Sequence, residues 1–295
     1  MSAVSHSRLD LSYNDTWLRL RNKLGKALIY LTIISLSLIF VVPLLSMFSM
    51  SLMPREQVGA WPPEWIPNPV QFENYAKALY FWNFAQSFRN TVLVTGLSMI
   101  GDLLSCTLVA YGFARFRFPG RNALFMVLLG TLMLPFAVTM VPLYIGYNAI
   151  GWVNTFNPLI VPHFFGNAFY IFLLRQFFMT IPEELTDAAK IDGAGEFQIW
   201  ARIMIPLARP AIIVVAILSF QTHWNDFLGP LLYLKDQQLH TLAIGLYKFQ
   251  GLPGQGSLYN EMMAATVLMV LPVLVVFAIF QKQFVQGVTL SGLKG

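Results

Sequence analysis

The sequence predicts an all-α membrane protein with six transmembrane helices. Apolar residues make up 56% of the 295 residues and charged residues only 11%, whereas a soluble domain carries about 25% charged residues. The mean hydropathy is +0.60, and six apolar stretches approach the length of about 20 residues that crosses a bilayer. This composition disfavours a soluble enzyme, a disordered chain and a nucleic-acid-binding protein. The single cysteine, Cys106, excludes a disulfide framework and a multi-cysteine metal site.

The six predicted spans are residues 27–49, 91–113, 123–147, 158–174, 211–224 and 262–281. Only the second span contains a charged residue, Asp102. We expect the fifth span to continue a helix that begins near Pro206. The first span follows a polar lead of residues 1–26 without a small-residue cleavage site, which favours a retained anchor over a signal peptide. We therefore divide the chain into a cytoplasmic segment 1–26, a transmembrane domain 27–284 and a cytoplasmic tail 285–295.

Proline interrupts several of these apolar stretches. A proline removes a backbone donor and kinks a helix, and a membrane tolerates such breaks where protein or a cavity satisfies the backbone. This pattern favours a bundle that moves or lines a cavity over a passive anchor. The prolines are Pro43, Pro135, Pro142, Pro162 and Pro272.

The distribution of lysine and arginine predicts that both termini are cytoplasmic, because short cytoplasmic loops carry the excess of these residues. With the N-terminus inside, 14 of the 19 Lys and Arg residues lie in cytoplasmic segments. The net charge of +5 is then a consequence of topology. The residues left outside are Arg55, Lys77, Arg89, Lys235 and Lys248.

The cytoplasmic loop 180–206, between the fourth and fifth spans, is predicted to fold as two short helices with a sharp turn. Thr180 and Glu183 have the spacing of a capping box, and Pro182 suits a first helical turn. Glu183, Glu184 and Asp187 favour the positive end of the helix dipole. Gly193 is expected to end the first helix in a left-handed conformation. A second amphipathic segment, residues 197–205, leads into Pro206.

The same loop resembles the E-A-A-x3-G-x9-I-x-L-P motif of permease subunits of binding-protein-dependent ABC importers. The matching residues are Asp187, Ala188, Ala189, Gly193, Ile203 and Pro206. Asp187 replaces the motif's glutamate and Ile205 replaces its leucine. The aspartate is shorter, and Glu184 is the alternative residue for its contact.

Further segments resemble the maltose-type carbohydrate importers, and most closely the smaller permease of the pair. The resemblance covers roughly residues 25 to 295 and implies the type I ABC importer permease fold. These segments are AYGFARFRFPGR (110–121), VPLY (141–144), GWVNT (151–155), FLLRQFF (172–178), WNDF (224–227) and FVQGVTLSGLKG (284–295).

The resemblance also implies partners and a location. The chain lacks a G-x-x-x-x-G-K-[ST] phosphate-binding motif, so ATP and Mg²⁺ would be used by a separate ATPase and this chain would carry no cofactor and no catalytic residue. The helix that matches Asp187–Gly193 would couple to that ATPase, as would the tail residues Leu290, Ser291 and Gly292. The expected partners are a second permease in a heterodimer, two ATPase subunits and an extracytoplasmic solute-binding protein. The chain would cross the bacterial or archaeal plasma membrane several times.

Candidate residues for the substrate path are less specific. Trp224, Asn225 and Asp226 combine an aromatic ring, an amide and a carboxylate near the outer end of the fifth span, as sugar binding requires; the alternative is an interfacial aromatic belt. Asp102 is an intramembrane carboxylate, which by default indicates function, or else has a buried structural partner. His163 and Asn167 fit interhelical hydrogen bonds better than a path.

Three alternative functions remain open on the sequence. The first is an ABC importer permease for a polyol, a glycerol phosphodiester or a peptide. The second is a secondary transporter or channel, for which Asp102 alone is thin support. The third is an intramembrane enzyme, which is disfavoured because the sequence has no H-E-x-x-H, no G-x-S-x-G and no paired intramembrane carboxylates.

Overall fold

The computed structural model describes residues 6–250 and 258–292, with side chains described for residues 21–250 and 258–281. Within these residues the chain is helical and contains no strand. The α-helices are α1 (His6–Ser51), α2 (Arg55–Val58), α3 (Glu73–Phe81), α4 (Phe84–Arg115), α5 (Arg121–Gly130), α6 (Phe136–Ala149), α7 (Asn157–Ile160), α8 (Ala168–Phe178), α9 (Glu183–Ile191), α10 (Glu196–Ile199), α11 (Ile205–Leu207), α12 (Arg209–Trp224), α13 (Leu228–Tyr233), α14 (Leu242–Lys248) and α15 (Tyr259–Gly292). Shorter turns are the 3-10 helices Thr131–Met133, Val161–Phe165 and Gln237–Leu239, and the π-helix Trp200–Met204.

Four helical segments are long and apolar enough to cross a membrane, and they correspond to four of the predicted spans. They are Arg21–Ser51, Phe84–Arg115, Asn157–Phe178 and Tyr259–Gln281. The other two predicted spans correspond to bent pairs of helices. Arg121–Met133 and Phe136–Ala149 meet at 98°, and Glu196–Leu207 and Arg209–Trp224 meet at 82°. The number of spans is therefore four, or up to six if each bent pair is counted as one.

The break in the third predicted span has a local cause. Pro135 precedes α6 with an extended backbone (ψ 142°), and Leu134 before it is also extended. A residue that precedes proline is disfavoured in the helical region, so the helix stops at Met133 and restarts in a new direction. Three other prolines, Pro43, Pro142 and Pro272, instead lie inside helices.

One predicted boundary was wrong. The helix of the fifth span does not begin near Pro206: α12 begins at Arg209, and Pro206 belongs to the preceding short helix α11. At the other end of the chain, α15 continues to Gly292, and the cytoplasmic tail predicted from residue 285 stays a prediction.

Helix α4 is the centre of the bundle. It packs against α8, α12 and the 3-10 helix Val161–Phe165, while α15 packs against α1, α3 and α12. Of the most apolar part of α4, 44% is buried within the chain, whereas the corresponding part of α1 is not buried at all. The apolar surface of α1 is thus left for lipid or a partner subunit, and α4 is the helix that other elements share.

Candidate functional site

The loop between the fourth and fifth predicted spans folds as a helical hairpin, which we call the α9–α10 hairpin (residues 183–199). Gly193 follows α9 with a φ of +82°, as predicted. Its amide donates to the Lys190 carbonyl at 3.0 Å, and the Ala194 amide donates to the Ala189 carbonyl at 2.9 Å. This pair of hydrogen bonds is a Schellman motif, in which glycine satisfies the left-handed position. The sharp turn between the two helices is therefore fixed by Gly193.

The predicted capping box at the start of α9 was wrong. Helix α9 begins at Glu183, and its N-cap residue is Pro182, which provides no side-chain cap. The Thr180 hydroxyl instead donates backward to the Phe177 carbonyl at 2.7 Å. Proline fixes φ near −65°, and the extended Pro182 backbone sets the start of the helix two residues later than the threonine spacing requires.

The hairpin has an inner side that packs on the bundle and an outer side that is exposed. Thr186 and Ile199 are buried, and Ala189 is half-buried against the core. Ala188, the preceding residue, is exposed. Of the other motif residues, Ile203 is half-buried in the π-helix and Pro206 is exposed. Other exposed residues of the hairpin include Glu184, Leu185, Asp187, Ile191 and Phe197. Ile191 is 87% exposed, so this side is partly apolar.

Polar contacts attach the hairpin to the end of α4. The Tyr111 hydroxyl donates to Glu196 Oε2 at 2.6 Å, and Lys190 pairs with the same carboxylate at 3.0 Å. The Arg115 guanidinium donates to the carbonyls of Phe178 (3.1 Å) and Ile181 (2.6 Å). These contacts attach the residues before and after α9 to α4.

A buried polar cluster lies in the middle of α4. The Asp102 side chain is 1% exposed, and its Oδ2 accepts from Ser219 Oγ at 2.7 Å and contacts His223 Nε2 at 2.9 Å. Its Oδ1 lies 3.1 Å from His163 Nδ1. The rings of His163 and His223 meet edge to face, with centroids 4.2 Å apart. We call these four residues the Asp102 cluster; it joins α4, the 3-10 helix Val161–Phe165 and α12.

The irregular backbone before α8 reaches the cluster because α4 presents small and polar residues to it. Gly101 lies so close to Phe164 that a Cβ at this position would come within 2.8 Å of the Phe164 ring. Ser98 donates to the Leu159 carbonyl at 2.8 Å and Ser105 to the His163 carbonyl at 2.9 Å. These hydroxyls satisfy carbonyls of a broken span inside the protein, as a membrane requires.

The predicted substrate-path residues are not brought together on one surface. Trp224 is 3% exposed, packs in a cluster with Trp82 and Phe249, and donates from Nε1 to the Met269 carbonyl at 3.0 Å. Asn225 is exposed and bonds the Gln221 carbonyl of its own helix at 2.9 Å. The rotation of α12 thus turns the Trp224 ring into the core of this structure, and its predicted place on the substrate path stays a prediction.

Asp226 is half-buried and accepts from the Gly229 amide at 3.1 Å, which places it at the start of α13. Burial raises the pKa of the Asp226 carboxyl above its usual range. Its main structural contact is local. It does not join Asp102, whose partners are the two histidines and Ser219.

The sequence indicated Asp102 and His163 one at a time and gave no sign of Ser219 or Gly101. The available signal was the spacing of Ser98, Asp102 and Ser105, which places three polar residues on one face of α4. The expected hydrogen bond between His163 and another helix is present. Asn167 instead caps α8, where its Oδ1 accepts from the amides of Phe169 and Tyr170. The side chains of the predicted tail residues Leu290, Ser291 and Gly292 lie outside the described residues.

Comparisons with known proteins match most of the chain. Residues 106–290 match the family described as "Binding-protein-dependent transport system inner membrane component". The arabinooligosaccharides transport system permease protein AraQ of Halalkalibacterium halodurans is 34% identical over 78% of this chain and 81% of its own length. The sn-glycerol-3-phosphate transport system permease protein UgpE of Rhizobium meliloti is 32% identical over 90% of this chain and 95% of its own length.

One solved structure matches nearly the whole fold. A chain from the crystal structure of a bacterial ABC transporter involved in the import of the acidic polysaccharide alginate superposes with a TM-score of 0.75. The two chains are 23% identical, and the match covers 96% of this chain and 99% of the other. At this identity the likeness defines the fold and leaves the substrate undetermined.

Proposed function

The chain belongs to the family of inner membrane components of binding-protein-dependent transport systems, and on this premise we propose that it forms half of the translocation path of an ATP-driven importer for a sugar or oligosaccharide. It is a multi-pass membrane protein and a transport component rather than a catalyst. Its solute would be delivered by an extracytoplasmic binding protein. The chain has no phosphate-binding motif, so ATP hydrolysis would take place on a separate subunit and would act on the path from there.

The observation that carries the proposal is the exposed outer side of α9. A nine-residue helix is marginal in water by itself, and α9 packs on the bundle along its inner side, at Thr186 and Ala189. Ala188 and Ile191 stay exposed on the opposite side. A small residue beside an exposed apolar one is the composition expected where another protein surface approaches closely. We assign this side to the ATPase, as the coupling contact between the fourth and fifth spans.

The hairpin is built to transmit movement. Because Arg115 and Tyr111 of α4 hold the residues on either side of α9, a push on the hairpin would move α4. Helix α4 in turn packs on α8 and α12. Closure of the ATPase would thus be converted into a rearrangement of the three helices around the Asp102 cluster.

The assembly we propose contains a second permease, two ATPase subunits and the binding protein. The apolar residues of α1 support a neighbour or lipid around this helix, because they are exposed along its whole apolar length. The excess of Lys and Arg in the predicted inner loops supports cytoplasmic termini, which would place the α9–α10 hairpin on the ATPase side of the membrane. ATP and Mg²⁺ would bind to the ATPase alone.

Two relatives' names favour different solutes. The arabinooligosaccharide permease favours a sugar, and the sn-glycerol-3-phosphate permease favours a phosphorylated polyol. We choose the sugar because several segments of the sequence resemble the maltose-type carbohydrate importers. The described chain also has many aromatic rings near the predicted outer ends of the spans, such as Tyr144, Trp152 and Tyr233.

The test is uptake of a labelled solute by proteoliposomes that contain the complete assembly. The binding protein is supplied, and ATP is supplied on the side of the membrane that the ATPase subunits face. We expect ATP-dependent accumulation of a labelled oligosaccharide, and none when the ATPase cannot hydrolyse ATP. Uptake of glycerol phosphate but not of any sugar would replace the substrate class. Uptake that continues without ATPase subunits would contradict the importer itself and favour a secondary transporter or channel.

A further inference from the structure

We propose that Asp102, His163 and His223 form a binding site for a divalent transition-metal ion of the zinc class. The three side chains come from α4, the 3-10 helix Val161–Phe165 and α12. One ligand atom from each, a carboxylate oxygen and two imidazole nitrogens, lies within 4.8 Å of the others. Two imidazoles with one carboxylate are ligands that Zn²⁺ and its neighbours Co²⁺ and Ni²⁺ accept.

The charge balance of the cluster favours a cation. The Asp102 carboxylate is 1% exposed in the middle of an apolar span, and a buried carboxylate is costly unless a positive charge compensates it. Among the residues that the structure describes, its only cationic partners within 4.0 Å are the two histidines. A divalent ion would compensate the carboxylate while both imidazoles remain neutral and act as ligands.

The distances lie near those of a zinc site. Zinc bonds to imidazole nitrogen and carboxylate oxygen are about 2.0 to 2.2 Å long, so tetrahedral ligand atoms lie roughly 3.3 Å apart. One carboxylate oxygen lies 3.1 Å from His163 Nδ1, and the other lies 2.9 Å from His223 Nε2. Since the three ligand atoms lie within 4.8 Å of one another, a movement of at most about 1.5 Å would bring them to the spacing of a tetrahedral site.

The surroundings of the cluster supply a second layer of contacts and an opening. Ser219 Oγ donates to Asp102 Oδ2 at 2.7 Å, and a hydrogen bond of this kind orients a ligating carboxylate. Ser105 holds the backbone of His163 through its carbonyl. The His163 side chain is 27% exposed, which leaves one side of the cluster for entry and for a fourth ligand such as water.

Bound metal would connect three elements that the transport cycle has to move against one another. This role depends on the proposed function, but the binding itself does not. We therefore test the site by metal binding to the complete detergent-purified assembly, isolated through an affinity tag without histidine. After removal of metal with a chelator, the assembly is titrated with Co²⁺ alone, and in parallel with Zn²⁺ alone.

We expect about one Zn²⁺ bound per copy of this chain and intense visible absorption bands from Co²⁺, as four-coordinate nitrogen and oxygen ligation gives. Asp102→Asn keeps the size of the side chain and its hydrogen-bonding capacity but removes the charged ligand. It should weaken metal binding at least about tenfold, as should His163→Gln. His240→Gln, outside the cluster, is the matched control and should bind metal as the unaltered protein does.

The unaltered assembly alone can overturn the proposal, whatever the variants do to folding. If it binds no Zn²⁺ at micromolar concentrations and gives no four-coordinate Co²⁺ spectrum, the cluster is a set of direct hydrogen bonds. If metal binds equally well to the Asp102→Asn and His163→Gln variants, the metal site lies elsewhere in the assembly. Either result leaves the importer assignment unaffected, because that assignment is tested by uptake.

Discussion

His223 Nε2 lies 2.9 Å from Asp102 Oδ2 and joins α12 to α4 across 121 residues of chain. Ser219, one helical turn before His223, donates to the same carboxylate oxygen. Helix α12 therefore meets the middle of α4 through two neighbouring polar contacts. In a membrane this contact fixes the mutual rotation of the two helices, because a buried carboxylate that lost its donors would be strongly destabilised.

Removal of the serine hydroxyl should weaken the contact measurably. Ser219→Ala deletes one hydrogen bond to a charged group, with an expected loss of about 1.5 to 3 kcal/mol. The midpoint temperature for thermal unfolding of the purified assembly should fall. Ser37→Ala is the matched control, because its hydroxyl bonds a carbonyl of its own exposed helix. Equal midpoints for both variants would mean that Ser219 does not support the carboxylate.

Trp224 should behave as a core residue. Trp224→Ala removes a buried ring that packs near Phe88 and Phe220, and such truncations cost about 3 to 5 kcal/mol. Trp224→Phe retains most of the packing and loses mainly the hydrogen bond to Met269, for about 1 kcal/mol. Thermal midpoints should rank the unaltered protein above Trp224→Phe and that variant above Trp224→Ala. A Trp224→Ala protein of normal stability with weakened solute transport would contradict this expectation and favour the prediction that Trp224 faces the path.

The turn after α9 should tolerate substitution at one glycine and not at the other. Gly193 has a φ of +82° and Gly195 a φ of −73°, and a Cβ would meet no atom within 4 Å at either position. Gly193→Ala should therefore cost about 1 to 2 kcal/mol of conformational strain alone, while Gly195→Ala should be close to neutral. The measurement is the amount of ATPase that co-purifies with the membrane subunits. Equal retention by the two variants would show that the left-handed turn is not needed for association.

The features that could be predicted from the sequence are those that depend on adjacent residues. The turn at Gly193 and the break at Pro135 could be predicted because each depends on a few adjacent residues with restricted backbone angles. The start of α9 failed because two local signals competed: the threonine spacing predicted one N-cap, and Pro182 imposed another. Sequence patterns also identified the family, since the motif residues keep their spacing.

Side-chain direction could not be predicted in the same way. Trp224 and Asn225 are adjacent in sequence, yet one is buried and the other exposed, because the rotation of α12 is set by helices far away in the chain. The sequence indicated that Asp102 needs a partner, but its partners lie 61 and 121 residues away. Only tertiary packing selects them from the polar residues of the bundle.

The topology prediction can be measured with introduced cysteines, since the native Cys106 is buried. The charge distribution predicts that Ser291→Cys is cytoplasmic and that Gln237→Cys, an exposed position after the fifth span, is outside. An impermeant thiol reagent applied to intact cells should label the second variant and spare the first. Permeabilised cells provide the control for reactivity. Labelling of Ser291→Cys in intact cells would reverse or break the six-span topology.

The central claim is that the outer side of α9 contacts the ATPase, and photo-crosslinking in intact membranes tests it most directly. A photoreactive residue is introduced at Ala188, which is exposed on α9, and separately at Gln237 on the predicted outer side. We predict a covalent product between this chain and an ATP-binding subunit from position 188, and none from position 237. The absence of that product from position 188 in membranes that retain the assembled ATPase would contradict the assignment of α9 as the coupling helix.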